Sequence, residues 1–416
     1  MLIISRFVLI AMALWAPTAA LADEIVKGIN VSLLPPGKAS VSIDSTSPRT
    51  DDLVALEKYN AKRIDVLASN GFNLVRLRFH MALIRPSASL QQRNLAMKAV
   101  PDFVSRANAK GMKVYVALFP ENGHDQHDLI CDKQDEFLQT IDMVVRSMPD
   151  SSLIGLEPLN EPFTGCGTPD SPKRWANLQR VIYQRVRAAR PHFSFIVSGD
   201  NWGGDLLKLD PSPYRSDPNV FFTLHFYDPV LYTSQGVGWN FLPSYNRYIH
   251  DLPWPYRADV VGQVRDKAFA AIDADSSLDA AKRVALKSDL TIQLAAYSKT
   301  GTEQSLASSL DALAYWATTH GISTNRIFLG EFGVIRPSQD TRGRITPGAD
   351  AWIGTVARLA RARNFQWAVW DLDTSFAIGF GHQGDADKIS DEISKALIDA
   401  TGRPLAPVAP QHAGHN

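Results

Sequence analysis

The chain has 416 residues, 45% of them hydrophobic and 21% charged, the balance of a sequence that folds around a buried core. Its 43 basic and 43 acidic residues cancel, which excludes a net field drawing it to nucleic acid or an anionic membrane. A neutral molecule or polymer is the natural partner, and the length allows one large α/β barrel or two smaller domains.

The N-terminus reads as a targeting segment. Arg6 gives a positive start, and Phe7 to Trp15 is an apolar run too short to span a bilayer comfortably. Ala20-Leu21-Ala22 offers a small-x-small cleavage site. Residues 1–22 are therefore predicted to be a signal peptide cut after Ala22, an uncleaved anchor being the alternative. The mature chain is expected to be secreted or periplasmic and, with no later apolar run of spanning length, free of the membrane.

From Glu24 onward short β-branched runs alternate with longer amphipathic stretches. Strands are predicted at Ile25–Asn30, Leu74–Phe79, Lys113–Phe119, Leu153–Glu161, Phe195–Ser198, Val220–Tyr227, Ile327–Glu331 and Phe365–Trp370. Helices between them are predicted at Asp51–Asn70, Gln92–Lys110, Asp135–Ser147, Lys173–Arg190, Ser305–His320 and Ala349–Asn364. Asn70-Gly71 and Lys110-Gly111 close two helices with a left-handed cap. Arg190-Pro191 closes a third with a ring that cannot continue a helix. Eight strands with helical crossovers favour a (β/α)8 TIM barrel over an open sheet, and no Gly-rich phosphate turn follows the first strand.

The regular alternation breaks once, over residues 229–304 after the sixth strand. The first half of this insertion holds Tyr232, Trp239, Phe241, Tyr245, Tyr248, Trp254 and Tyr256; the second half, near Val261–Tyr297, is helical. Long insertions on a barrel usually decorate the face that carries the βα loops. Most of these aromatics are expected to pack a local core, with one or two facing a ligand. Residues 23–402 then form one catalytic domain, and the Pro-rich 403–416 a disordered tail whose His412 and His415 are solvated rather than metal-binding.

The two cysteines, Cys131 and Cys166, meet an oxidising compartment if the chain is exported and are expected to form a disulfide, two separate thiols being the alternative. No second ligand pair sits at zinc-finger spacing. Glu121, His124 and His127 have irregular spacing, so no metal is expected.

Two apolar runs end in a glutamate followed by a breaker: Leu156-Glu157-Pro158-Leu159-Asn160-Glu161-Pro162 and Ile327-Phe328-Leu329-Gly330-Glu331-Phe332-Gly333. Keeping a carboxylate at the end of a buried strand is costly without a purpose. On a barrel, strand C-termini converge on one mouth, so Glu161 and Glu331 should face each other there. A carboxylate pair so held is what glycoside hydrolysis needs. Arg76 and Arg78 share one face of the second strand and His225 and Tyr227 one face of the sixth, while Trp370 ends the last strand beside Asp371.

These features resemble the cellulase family of retaining glycosidases, glycoside hydrolase family 5. The matching stretches are Gly71-Phe72-Asn73-Leu74-Val75-Arg76-Leu77, Asn160-Glu161-Pro162, His225-Phe226-Tyr227, Gly330-Glu331-Phe332-Gly333 and Trp367-Ala368-Val369-Trp370. They fall in the family's order across nearly the whole mature chain. The resemblance implies Glu161 as acid/base and Glu331 as nucleophile. It further implies Asn160 on the sugar 2-hydroxyl, Arg76 and Tyr227 beside the nucleophile, His225 near the acid/base and Trp370 as the floor under the sugar. The implied substrate is a polysaccharide, first of all β-1,4-glucan, cut internally without a cofactor by a monomer. Mannan, β-1,3-glucan, a bacterial exopolysaccharide or a barrel that only binds glycan are the other readings.

The chain departs from the family after the third strand, where Leu118-Phe119-Pro120-Glu121-Asn122 replaces a usual histidine; His124 is the candidate substitute. Arg78 stands where proline is common. Glu157 is expected to pair with Arg76 or Arg78.

Overall fold

Residue parity along the strands builds the interior of this protein in layers. The computed structural model describes residues 26–33, 50–85, 88–120, 123–167, 171–239, 242–336, 345–372 and 393–397, with backbone alone at 50–55, 123–126 and 171–172. The predicted signal peptide, the predicted tail, Glu121 and the His124 side chain thus lie outside the described residues. The strands are β1 Lys27–Ser32, β2 Leu74–His80, β3 Lys113–Phe119, β4 Ile154–Glu157, β5 Ser194–Ser198, β6 Val220–His225, β7 Ile327–Glu331 and β8 Gln366–Val369. All pair in parallel with their sequence neighbours, and β8 closes on β1 through Lys27↔Trp367, Gly28↔Ala368 and Ile29↔Val369. The result is a closed eight-stranded (β/α)8 barrel.

Inward residues at the barrel floor are apolar: Val26, Leu74, Tyr115, Ile196, Phe328 and Ala368 form a cluster of their own. Two residues further along the strands the layer is polar, with Asn30, Arg76 and Glu157 buried. Another step reaches Ser32, Arg78 and Phe119 near the mouth. Outward residues such as Ile29, Val75, Val114 and Leu329 pack beneath the helices in a second, larger core. This is why the strands read as nearly continuous apolar runs: both faces are covered.

The helices are α1 Thr50–Ser69, α2 Leu90–Ala109, α3 Gly123–Cys131, α4 Gln134–Ser147, α5 Ser171–Ala189, α6 Ala258–Ala274, α7 Ala280–Thr300, α8 Glu303–Thr319 and α9 Ala349–Ala362. Both glycine caps form as expected. Gly71 and Gly111 have φ of 71° and 76°. Phe72 N–H donates to Leu67 O at 3.1 Å and Met112 N–H to Ala107 O at 3.0 Å, turning each helix sharply into its strand. Helix α2 starts from a capping box between Ser89 and Gln92.

Two strands stop earlier than the sequence suggested. β4 ends at Glu157, because Pro158 brings no N–H to the ladder, and the chain bends until Glu161 takes φ 46°. β6 ends at His225, where its register with β7 shifts. Between β6 and α8, Tyr232, Tyr248 and Trp254 are buried while Trp239 is 40% exposed, and α6 and α7 supply the helical half. Among the described residues no helix is long and apolar enough to cross a membrane.

Cys131 and Cys166 are joined, tying the end of α3 to the segment that follows β4. Closing a loop over a sequence separation of 35 is worth roughly 3–4 kcal/mol in the chain-entropy model. Cys166→Ser should therefore lower the melting temperature by several degrees in calorimetry; an unchanged transition would mean the bridge contributes nothing to stability.

Candidate active site

A single buried cation organises the strand ends. Arg76, wholly buried on β2, donates from Nε and Nη2 to the two oxygens of Glu157, both at 2.7 Å. Nη1 reaches Glu331 Oε1 at 2.6 Å and Asn30 Oδ1 at 2.8 Å, and Nη2 reaches Asn160 Oδ1 at 2.8 Å. Every donor direction of the guanidinium is engaged. Burial alone would lower its pKa; Glu157 and Glu331 reverse that, and the net shift is upward. Of the two partners the sequence allowed for Glu157, the structure selects Arg76.

Asn30 locks this layer across the barrel seam. Its Nδ2 donates to Gly330 O at 2.9 Å, Val369 O at 3.2 Å and Ala368 O at 3.3 Å. A lone asparagine in an apolar strand carries no sequence signal of such a role, and sequence reading missed it.

Glu331 ends β7 with its side chain 5% exposed. Its second oxygen, Oε2, accepts from the Tyr227 hydroxyl at 2.9 Å and lies 3.5 Å from His225 Nδ1. Burial first, then Glu331 and Glu161, raise Tyr227 well above the usual phenol value, so it stays a donor. Gly330 lets β6 approach: a Cβ there would stand 2.5 Å from Thr223 Oγ1 and 3.3 Å from the His225 ring.

Glu161 is more open, its side chain 29% exposed, and its Oε1 sits 2.7 Å from His225 Nδ1. Ligating atoms of Glu161, His225 and Glu331 all lie within 4.8 Å of one another. The two carboxyl groups therefore share one small space, with the imidazole as their common contact. This triad also has the spacing to hold a metal ion. At a second such cluster, His127, Cys131 and Cys166, the disulfide removes the thiolates that a metal would need.

Of the predicted residues, Arg76, Asn160, Glu161, His225, Tyr227 and Glu331 come together in one connected network. Trp370 stands at the rim, its ring nearly parallel to Phe119 with centroids 6.1 Å apart. Phe119 occupies the end of β3, where the family's histidine was expected. The structure supplies another histidine nearby: His80, the last residue of β2, packs on Phe119 at 6.0 Å. Burial and then Arg78 push its pKa down to about 4.

A further pair went unnoticed in the sequence. Phe163 and Trp202, each 37% exposed, stack at 5.1 Å and 22° on the loops after β4 and β5. Trp202 N–H donates to Pro162 O at 2.9 Å, and Thr164 N–H to Asp200 Oδ1 at 2.9 Å, fixing the pair beside Glu161. The run Asp200-Asn201-Trp202-Gly203-Gly204, an aromatic in a turn directly after a strand, was the available signal.

The family model for cellulase, glycosyl hydrolase family 5, matches residues 45–375. The chain belongs to that family. An endoglucanase of Fibrobacter succinogenes is 20% identical over 223 residues, 53% of this chain and 30% of the relative. A mannan endo-1,4-β-mannosidase of Cellvibrio japonicus is 30% identical over 131 residues, 30% of this chain and 28% of the relative. The chain thus spans under a third of either protein's length. Among solved structures, the cellulose synthase subunit Z of Clostridioides difficile superposes with a TM-score of 0.60 at 19% identity, covering 90% of this chain and 100% of its own. A Thermotoga maritima endoglucanase gives 0.58 at 18% identity, covering 90% and 97%. At these identities the family 5 structures support the barrel fold alone.

The electrostatics of the family 5 site yield a direct check. Burial alone would lower the His225 pKa, but Glu331 and Glu161 outweigh it and the net shift is above 6.5. Stability from this proton is complete below the unfolded value and is lost as pH rises through the higher folded one. An NMR titration of the His225 ring should give a midpoint above 6.5, and Glu161→Gln should lower it. A wild-type midpoint below 6.5 would mean that burial prevails over the two carboxylates.

Proposed function

We propose that this protein is a retaining, endo-acting β-glycoside hydrolase of polysaccharides, with Glu161 as acid/base and Glu331 as nucleophile. The observation that carries the reading is that one oxygen of Glu161 and one of Glu331 lie within 4.8 Å of each other, both beside His225 Nδ1. Retaining enzymes hold their carboxyl groups about 5–5.5 Å apart, and inverting enzymes leave about 6.5–9.5 Å for a water.

The residues then divide the work by environment. Glu331 is buried and held by Arg76 and Tyr227, contacts that fix its carboxylate so that one oxygen can meet the anomeric carbon. Glu161, more exposed and hydrogen-bonded to His225, gives a proton to the departing glycosidic oxygen as Glu331 forms the glycosyl ester. Having lost that proton, Glu161 takes one from water, whose oxygen attacks the anomeric carbon and releases Glu331. Asn160, oriented by Arg76, meets the sugar 2-hydroxyl, a contact that strengthens as the ring flattens in the transition state. Trp370 gives the sugar a flat apolar face, and Phe163 with Trp202 gives another on the leaving-group side.

The favoured substrate is β-1,4-glucan, on the strength of the cellulase family model and the endoglucanase relative. A β-1,4-mannan is the second reading, favoured by the mannosidase segment at 30% identity. A Thermotoga maritima relative of the same fold has been solved with both cellobiose and mannotriose. Export through the N-terminal signal, a monomeric state, a single catalytic domain over residues 23–402 and an insertion at 229–304 complete the proposal.

Glu331→Gln should abolish turnover of glucan and mannan oligosaccharides while the protein still binds them, because it removes the nucleophile and little volume. Near-normal turnover in that variant would overturn the assignment.

A further inference from the structure

Arg78 stands directly above Arg76 on the inner face of β2, yet the two are held very differently. Arg76 has all its donors engaged. The Arg78 side chain is only 15% exposed, and its buried Nε meets no acceptor among the described residues. Its hydrogen bond to Ser32 Oγ is long, at 3.5 Å, and Asp371 Oδ2 is 3.8 Å from Nη1, beyond hydrogen-bond reach. Two aromatic rings flank it instead: the guanidinium carbon lies 4.8 Å from the Trp370 ring centre and 5.5 Å from that of Phe119. A guanidinium flanked by rings, partly open to the mouth and holding only one long hydrogen bond, has terminal N–H donors left for acceptors on a ligand.

The topology says which part of a ligand passes there. Ser32, Arg78, Phe119, Trp370 and Asp371 sit at the ends of β1, β2, β3 and β8. Glu161, Phe163, Trp202 and His225 occupy the β4–β6 sector opposite. The acid protonates the departing oxygen, so the leaving portion of a chain lies toward β4–β6 and the retained portion toward β8–β3. This sector assignment rests on the hydrolytic reading above.

We propose that Arg78 is a specificity-determining residue of the glycon side, donating hydrogen bonds to hydroxyl oxygens of a neutral sugar that rests against Trp370 and Phe119. Neutral hydroxyls rather than an acidic substituent follow from Asp371, which is fully buried, lies 3.8 Å from Nη1 and compensates the charge. The pair presents directed donors without a net field. His80, kept neutral by its surroundings, borders the same pocket through Phe119.

The test is calorimetric titration of cellobiose and mannobiose into the unaltered protein, Arg78→Met and Arg78→Lys, with melting temperatures as the folding control. Hexaose hydrolysis is assayed alongside. Arg78→Met should weaken binding of the preferred disaccharide roughly ten- to a hundredfold, and Arg78→Lys, charged but unable to offer the planar fork, should fall between. The same ordering in kcat/KM is expected for the hexaose. Arg78-dependent binding without hydrolysis would uphold Arg78 as a donor to neutral sugar but defeat the hydrolytic reading and, with it, the glycon-side assignment. Hydrolysis with Arg78→Met indistinguishable in binding and kcat/KM would overturn this proposal alone. So would tighter, Arg78-dependent binding of a uronic-acid disaccharide than of either neutral one.

Discussion

The site depends on one buried ion network, in which Arg76 is clamped by Glu157 on one side and holds Glu331 on the other. A guanidinium so deep in the barrel is tolerable only because five well-aligned contacts replace its water. Removing Glu157 would leave a buried cation with a single carboxylate, and Glu331 would no longer be held by a fixed partner. Glu157 thus bears on the geometry of Glu331 through Arg76, without touching it. It fixes the group that fixes Glu331.

Strand periodicity places this network. Inward residues recur every second position along a strand, so an apolar floor around Tyr115 and Phe328 supports the polar layer of Asn30, Arg76 and Glu157, and that layer supports the rim. The floor is packed with rings, Tyr115 meeting Phe328 edge-on at 5.4 Å, and this rigidity limits how far the ions above can shift. Helix caps and the seam at Gly28 keep the strands in register. The disulfide anchors the segment beyond Glu161, where the backbone has left the ladder.

Much of this was legible in the sequence. Short apolar runs, several of them set off by signals such as Asn70-Gly71, Lys110-Gly111 and Pro120, placed the strands, with β4 and β6 read too long, because both sheet faces are buried and turn chemistry is local. The glutamates stood out because a carboxylate at a strand end is costly, and parity put Arg76 and Glu157 on inner faces. Three things were missed. The end of β4 was overrun because the apolar pattern continues through Leu159, although Pro158, which brings no N–H to the ladder, marked the stop. Asn30 looked like any polar residue in a strand, since the carbonyls its amide donates to are 300 or more residues away. The stacked pair of Phe163 and Trp202 required two separate loops to meet, which no window of sequence contains.

The mouth is asymmetric, with an arginine-backed aromatic wall on one side of the carboxylates and an exposed aromatic stack on the other. A polymer laid across it meets the two carboxylates midway, and the stereochemistry of cleavage reports their spacing directly. The decisive measurement is the anomeric configuration of the first product, followed by proton NMR on a defined β-1,4-linked oligosaccharide before mutarotation equilibrates it. A β-anomer appearing first is the result predicted by two carboxylates close enough for a covalent intermediate. An α-anomer appearing first would contradict it, since a water would then have attacked directly from the far face.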